Sequence, residues 1–351
     1  MKTRTCLIAT LLMLCTSAAL ADKIYIHGDG KSKSGKVTEM SPQEVGLSGK
    51  PPYAANTVRY IRFDGEPKDL SLARSRALSG NYTTALKYLK RVDAGSISNP
   101  MIRADMAFFK AYGYAHLGLT STKKRDTHLN NAVKLLTSYI NGAGKNHYRF
   151  YEAQELLGDV SLALGKSKKD AALLANANKQ YDAASTSAPW PDVKLRLSMK
   201  KAKALQAEGK ASEALTLYRT ISESSLEGPE VESYKGQARL GMAEALTADN
   251  KAGEAIALIN GVINATNPED LDTMGQAYLA MARCAKAGDK PKEERMAYLH
   301  IDLLYFQNPE AHEEALGRLA ELWEAENQPE KASDAMIKLR RKFPNSQYLK
   351  R

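Results

Sequence analysis

Ala202-Lys203-Ala204-Leu205-Gln206-Ala207-Glu208-Gly209-Lys210-Ala211-Ser212-Glu213-Ala214 is the stretch that decides how this chain folds. A small residue, Ala202, stands seven positions before Gly209, and Ala214 stands five after it. Ala243, Asn250 and Ala255 repeat the spacing, as do Ala73, Gly80 and Ala85, and then Ala320, Asn327 and Ala332. Where two antiparallel helices cross close to their shared turn, only small side chains let the backbones approach. Gly or Asn between them supplies the left-handed backbone that ends the first helix. The stretch therefore predicts a helix, a tight turn and a second helix.

Working outward, seven such breaks follow one another: Gly80, Gly118, Gly165, Gly209, Asn250, Gly288 and Asn327, at spacings of 38, 47, 44, 41, 38 and 39 residues. Seven residues before the remaining three breaks stand Ala111, Gly158 and Met281; five after them stand Lys123, Asp170 (beside Ala171) and Glu293. A regular period of this length marks stacked helical units, each of which buries its apolar face only against its neighbours. The pattern resembles that of tetratricopeptide repeats (TPR), and Pro344 in Lys342-Phe343-Pro344-Asn345-Ser346 resembles the proline that closes a TPR helix pair. The resemblance implies a mainly α fold over residues 67–349: a TPR-like, right-handed α-solenoid of about seven helix pairs. The spacings exceed the family's 34 residues, which longer helices or longer inter-repeat loops would absorb.

Residues 22–66 read differently. Lys23-Ile24-Tyr25-Ile26-His27, Val37-Thr38-Glu39-Met40, Glu44-Val45-Gly46-Leu47 and Thr57-Val58-Arg59-Tyr60-Ile61-Arg62-Phe63 alternate between apolar and polar. Gly28-Asp29-Gly30, Ser41-Pro42 and Lys50-Pro51-Pro52 read as the breaks between them. This predicts about four short strands in a small, SH3-like β module. So few residues bury little surface alone, so the module is expected to dock on the helices that follow.

Residues 1–21 have a basic start (Lys2, Arg4), an apolar run from Cys6 to Leu14 and the small-x-small ending Ala19-Leu20-Ala21. These are the three parts of a secretory signal peptide, with cleavage expected after Ala21 and export to the periplasm or beyond. Leu14 before Cys15 departs from the small residue a lipoprotein signal resembles there. Without this segment 48 Lys and Arg face 40 Asp and Glu, and Cys284 is the one cysteine left. No internal disulfide can form, and packing must hold the fold. No later stretch is apolar enough to span a bilayer, so no transmembrane segment is expected.

Chemistry-bearing patterns are few. Gly30-Lys31-Ser32-Lys33-Ser34-Gly35-Lys36 has the spacing of a phosphate-binding loop, but Val37 stands where a metal-binding Ser or Thr is needed. The following residues continue as strand, which makes the segment a hairpin turn. None of the six histidines lies in a metal-ligand spacing, and Cys284 has no partner base in the sequence. The basic runs Lys123–Arg125, Lys166–Lys169, Lys194–Lys203 and Arg340–Lys342 fall on helix surfaces and turns without interleaved stacking residues, and nucleic acid is not expected. No catalytic, cofactor-binding or metal-binding residue is expected either.

What remains is binding. A solenoid leaves one long concave face, and the TPR resemblance implies protein or peptide partners on it. Helix phase nominates Lys110, Tyr114, Gln154 and Lys200 as partner-contacting residues. The expected role is a non-catalytic, exported scaffold for protein partners in the bacterial envelope. The alternatives are a cell-wall or polysaccharide-binding protein, favoured by the positive balance, and an accessory subunit of an envelope enzyme.

Overall fold

The structure, a computed structural model, describes residues 21–121, 124–344 and 346–349. The expected signal peptide, apart from Ala21, lies outside them, as does Lys123. Among the described residues six strands precede fourteen α-helices.

The strands are β1 (Asp22–Ile26), β2 (Lys33–Gly35), β3 (Val37–Met40), β4 (Glu44–Leu47), β5 (Lys50–Ala54) and β6 (Val58–Arg62). They form two antiparallel three-stranded sheets, ordered β2-β1-β6 and β3-β4-β5, and the chain passes from one to the other at Lys36. Alternation places Ile24, Val37, Val45 and Ile61 inside and Lys23, Tyr25, Tyr60 and Arg62 on the outer face; Val58 is also buried, where the β1–β6 register shifts. Two segments depart from the sequence reading. Lys33–Gly35 pairs with β1, so the turn is confined to residues 27–32. Lys50-Pro51-Pro52 is not a break but the start of β5, which pairs with β4 alone. An edge strand tolerates proline because one side needs no donors.

The helices pair in chain order: α1 (Lys68–Leu78) with α2 (Tyr82–Leu89), α3 (Pro100–Thr120) with α4 (Arg125–Asn141), α5 (Phe150–Lys168) with α6 (Ala171–Ser187), and α7 (Pro191–Ala207) with α8 (Ala211–Ser222). Then come α9 (Pro229–Ala248) with α10 (Ala252–Ala265), α11 (Leu271–Ala287) with α12 (Pro291–Leu303), and α13 (Pro309–Ala325) with α14 (Pro329–Lys342). Proline opens six of the fourteen, at the first-turn position where its missing N–H costs nothing. Asn81, Asn99, Asp170, Asp270 and Asn308 cap helices by accepting from first-turn amides, each worth about 1 kcal/mol. The result is a TPR-like α-solenoid of seven helix pairs behind a small β module.

The turn residues divide into two kinds. Gly80, Gly209, Asn250 and Asn327 have left-handed backbone, with φ of 80°, 84°, 60° and 57°. Gly118, Gly165 and Gly288 do not. Gly118 lies inside α3 and Gly165 inside α5, and their pairs turn instead at Lys124 (φ 56°) and Lys169 (φ 54°); the sixth turns at Asp289 (φ 51°). A Cβ on Gly118 would come within 2.6 Å of the Leu129 side chain, and one on Gly165 within 2.8 Å of Leu174. Those two glycines serve helix contact rather than the turn. Continuing the helices past them accounts for the long second and third repeats. The small residues do what their spacing implies: Ala73, Ala111, Ala202, Ala243 and Ala320 are buried, and Gly158 sits under the Tyr181 ring.

Candidate partner-binding face

Curvature follows from which helices touch. The first helix of each pair packs on the first helix of the next, from α1·α3 through α11·α13, whereas the second helices show no comparable packing on one another. The first helices therefore line the inner, concave side.

Their facing residues form a polar ladder. Glu155 and Asp159 of α5 receive Arg196 and Lys200 of α7, with Arg196 to Glu155 at 2.9 Å and Lys200 to Asp159 at 2.7 Å. Lys203 donates to Gln237 of α9 at 2.9 Å. Glu244 of α9 and Glu314 of α13 hold Arg283 of α11 between them at 3.0 and 2.7 Å. Burial opposes the Lys200 charge, but Asp159 and Glu155 outweigh it and raise its pKa. Lys203, bonded to a neutral amide, shows the opposite: burial pushes its ammonium below the ordinary lysine value. Burial also lowers the His116 imidazole, with Lys200 adding to the effect against Asp159.

The β module closes the N-terminal end of this face. Arg149, at the start of α5, donates to the Arg59 carbonyl of β6 at 2.7 Å. Gln43, between β3 and β4, donates to the Tyr151 hydroxyl at 3.3 Å, and that hydroxyl donates to the Ser187 carbonyl. Beneath them lies a buried ionic cluster. Arg74 of α1 binds Glu66 and Asp105, each at 2.7 Å, and Arg149 lies 3.8 Å from Asp105 with its guanidinium over the Phe108, Phe109 and Tyr148 rings. The module thus reaches past the first helix pair to the third.

Between module and solenoid is a cavity of about 650 Å³. His27, Asn56 and Arg59 line it from the module; Tyr112 of α3, Tyr151 and Glu152 of α5, Trp190, Asp192 and Arg196 at the start of α7, and Glu230 of α9 line it from the solenoid. Trp190 stands edge-on to Tyr151, ring centres 5.7 Å apart. Burial, with Glu152, pushes the Tyr112 phenol up to about 12, so it stays a neutral hydroxyl. Aromatic bodies with polar tips, and charges of both signs around them, suit a ligand that is itself mixed, such as a peptide.

The four residues nominated from helix phase scatter over this frame. Lys200 is in the ladder, bound to Glu155 and Asp159. Gln154 is buried, and its amide oxygen has no hydrogen-bond partner among the described residues. Lys110 is exposed on α3, and Tyr114 lies against His128 of α4. Tyr112 and His116 take the concave side of α3 instead; a step of two residues is about 200° around a helix. The cavity-lining Tyr112, Arg196 and Asp192 were not among the nominated residues; the sequence Pro189-Trp190-Pro191-Asp192, an aromatic held between two prolines, was the available signal. Among the described residues no group of His, Cys, Asp and Glu could hold a metal ion, and no helix is long and apolar enough to cross a membrane. Cys284 is buried and donates to the Ala252 carbonyl.

The chain matches no protein-family model and no curated protein. Among solved structures it is similar to a Rap protein crystallised in complex with Competence and Sporulation Factor: TM-score 0.50, 15% identity, covering 80% of this chain and 78% of that one. It is also similar to the apo form of the quorum sensor NprR from B. thuringiensis, with TM-score 0.46, 10% identity, and coverage of 78% and 86%. The likeness to the Rap structure is one of fold, and it agrees with the TPR-like arrangement of the helix pairs.

Proposed function

We propose that this protein is a non-catalytic, exported scaffold that holds a protein or peptide partner on its concave face. The partner's anchor is seated in the cavity between the β module and α3, α5 and α7. One observation carries the reading: the cavity brings Tyr112, Tyr151 and Trp190 together with Arg196, Asp192 and Glu230 from four separate parts of the chain. Aromatic anchors and arginine in a recess are the residues that dominate protein–protein binding energy. The Rap structure supports it by showing that this fold accommodates a bound factor on a chain of similar length. Export rests on the signal-like residues 1–21, and a role in the envelope follows from export.

The test is photo-crosslinking in cells with the reactive side chain placed at Asp192 or Glu230, and at Lys179 on α6 as the outward control. Crosslinks to a defined protein from the two cavity positions, absent from Lys179 and lost in Trp190→Ala, are the expected result. Equal labelling from Lys179, or none from the cavity, would overturn the reading. Sequencing the N-terminus of the envelope-fraction protein checks export, which predicts Asp22 as the first residue.

A further inference from the structure

A second recess adjoins the concave cavity, with Arg59 and Leu78 lining both. It is a groove of about 910 Å³ between the outer face of the β2-β1-β6 sheet and helix α1. Its floor carries Tyr25 and Tyr60, a cross-strand pair with ring centres 4.2 Å apart and planes 15° from parallel. Leu72 and Leu78 of α1 supply apolar surface opposite, and Ser71 and Ser75 supply hydroxyls one helical turn apart.

Lys23, Arg59, Arg62 and Lys68 stand around the groove, all exposed. Among the described residues none of the four is in an ion pair, whereas the other arginine in the lining, Arg74, is bound to Glu66 and Asp105. Asp64 is the one exposed carboxylate among the described lining residues. Four cations left without partners around one recess make a positive field that favours an anionic occupant.

The kind of anion follows from what the groove offers. A peptide laid on a sheet is ordinarily held through the main chain of a free strand edge. Here the edge strand β6 already gives its Arg59 carbonyl to Arg149, and the groove meets the Lys23, Tyr25, Tyr60 and Arg62 side chains of the sheet's face. The nearby loop amides are already taken, Phe63 by Glu66 at 3.1 Å and Asp64 by Asp22 at 2.7 Å. What remains is tyrosine rings for the apolar C–H face of a pyranose, serine and tyrosine hydroxyls for its hydroxyl groups, and cations for carboxylates. We infer that this groove binds an acidic, uronate-type oligosaccharide. Helix α1 runs along the groove for about 16 Å, enough for a short stretch of such a chain.

The experiment is titration calorimetry of the purified protein with hexagalacturonate at low salt, against a neutral maltohexaose, a hexaglutamate peptide and a hexathymidylate. Hexagalacturonate should bind in preference to all three. Its affinity should fall several-fold as salt rises from about 0.05 to 0.3 M, and by about tenfold or more in Lys23→Ala/Arg62→Ala/Lys68→Ala. These exposed positions leave the core intact, which circular dichroism verifies, and Tyr60→Ser provides a second variant of independent chemistry. Trp190→Ala, in the concave cavity, should leave this binding unchanged, which separates its failure from failure of the partner-scaffold reading. No binding, equal binding of maltohexaose, equal or tighter binding of hexaglutamate or hexathymidylate, or unaltered affinity in both groove variants would each overturn the inference.

Discussion

The two halves of the molecule are held together differently. From Ile24 to Leu164 one continuous core joins the β module to α1 through α5, with the Arg74–Asp105–Arg149 cluster buried in its middle. Beyond it the core breaks into short successive clusters, each spanning neighbouring helices: Tyr151 to Ala204, Leu195 to Ala238, Leu240 to Cys284, and Leu279 to Ala335. There the ladder charges on the concave side are partly exposed, and the buried pairs, Glu294 with Arg318 and Asp302 with His312, join only the neighbouring helices α12 and α13. The first half is organised like a globular domain, in which distant parts share one fate. The second is a one-dimensional stack, in which each unit depends on its neighbours. The β module makes the difference, because it ties three helix pairs to a single body.

Asp105→Ala should break the comparison most severely. It leaves two buried guanidiniums short of a counter-charge, at a cost of about 3–5 kcal/mol. Hydrogen exchange should show protection lost together from the β module through α5 and retained in α9 to α14. A loss confined to α3 would sink the idea of one cooperative unit. Ile259→Ala, in the fully buried core of α10, should cost on the order of 3 kcal/mol yet expose only α9 to α12. Spread of that effect into α3 or the β module would remove the contrast from the other side.

Acid should sharpen it. Burial depresses the His147 imidazole from 6.5 to about 3, with Asp105 opposing and Arg149 reinforcing the shift. The unfolded chain therefore takes up this proton first. The stabilisation is whole above pH 6.5 and is lost as pH falls toward 3, at about 1.4 kcal/mol per pH unit. Between pH 6.5 and 4.5, before the carboxylates titrate, the first half should soften while the second holds, and His147→Gln should remove most of the slope, leaving the smaller part that the lowered His116 contributes. The smallest effect belongs to the ladder. Arg283→Ala removes two partly exposed ion pairs and should cost under about 1 kcal/mol by chemical denaturation; a loss several times larger would mean that the concave ladder holds the stack together.

The helix pairs were legible because small residues and turn residues must keep phase wherever two helices meet, and phase is a property of sequence. Three of the seven turns were misplaced for a reason equally physical. Glycine serves both a left-handed turn and a close helix contact, and only the position of Leu129 or Leu174 shows which use applies at Gly118 or Gly165. The β strands were legible by alternation except where proline at an edge mimics a break, as in β5. The candidate site was least legible. Lys200 came from helix phase alone, and two residues on α3 separate the nominated Tyr114 from the cavity-lining Tyr112.

The order of elements, the number of helix pairs and the signal-like start were thus determined by local spacing, since each depends on residues within a turn or two of one another. Which side is concave, where the module docks and which charges are buried were decided only by the tertiary structure. Asp105, Arg74 and Arg149 lie far apart in sequence, and the cavity draws on residues from His27 to Glu230. Neither arrangement leaves a periodic trace, because each arises from surfaces that meet after the local structure has formed.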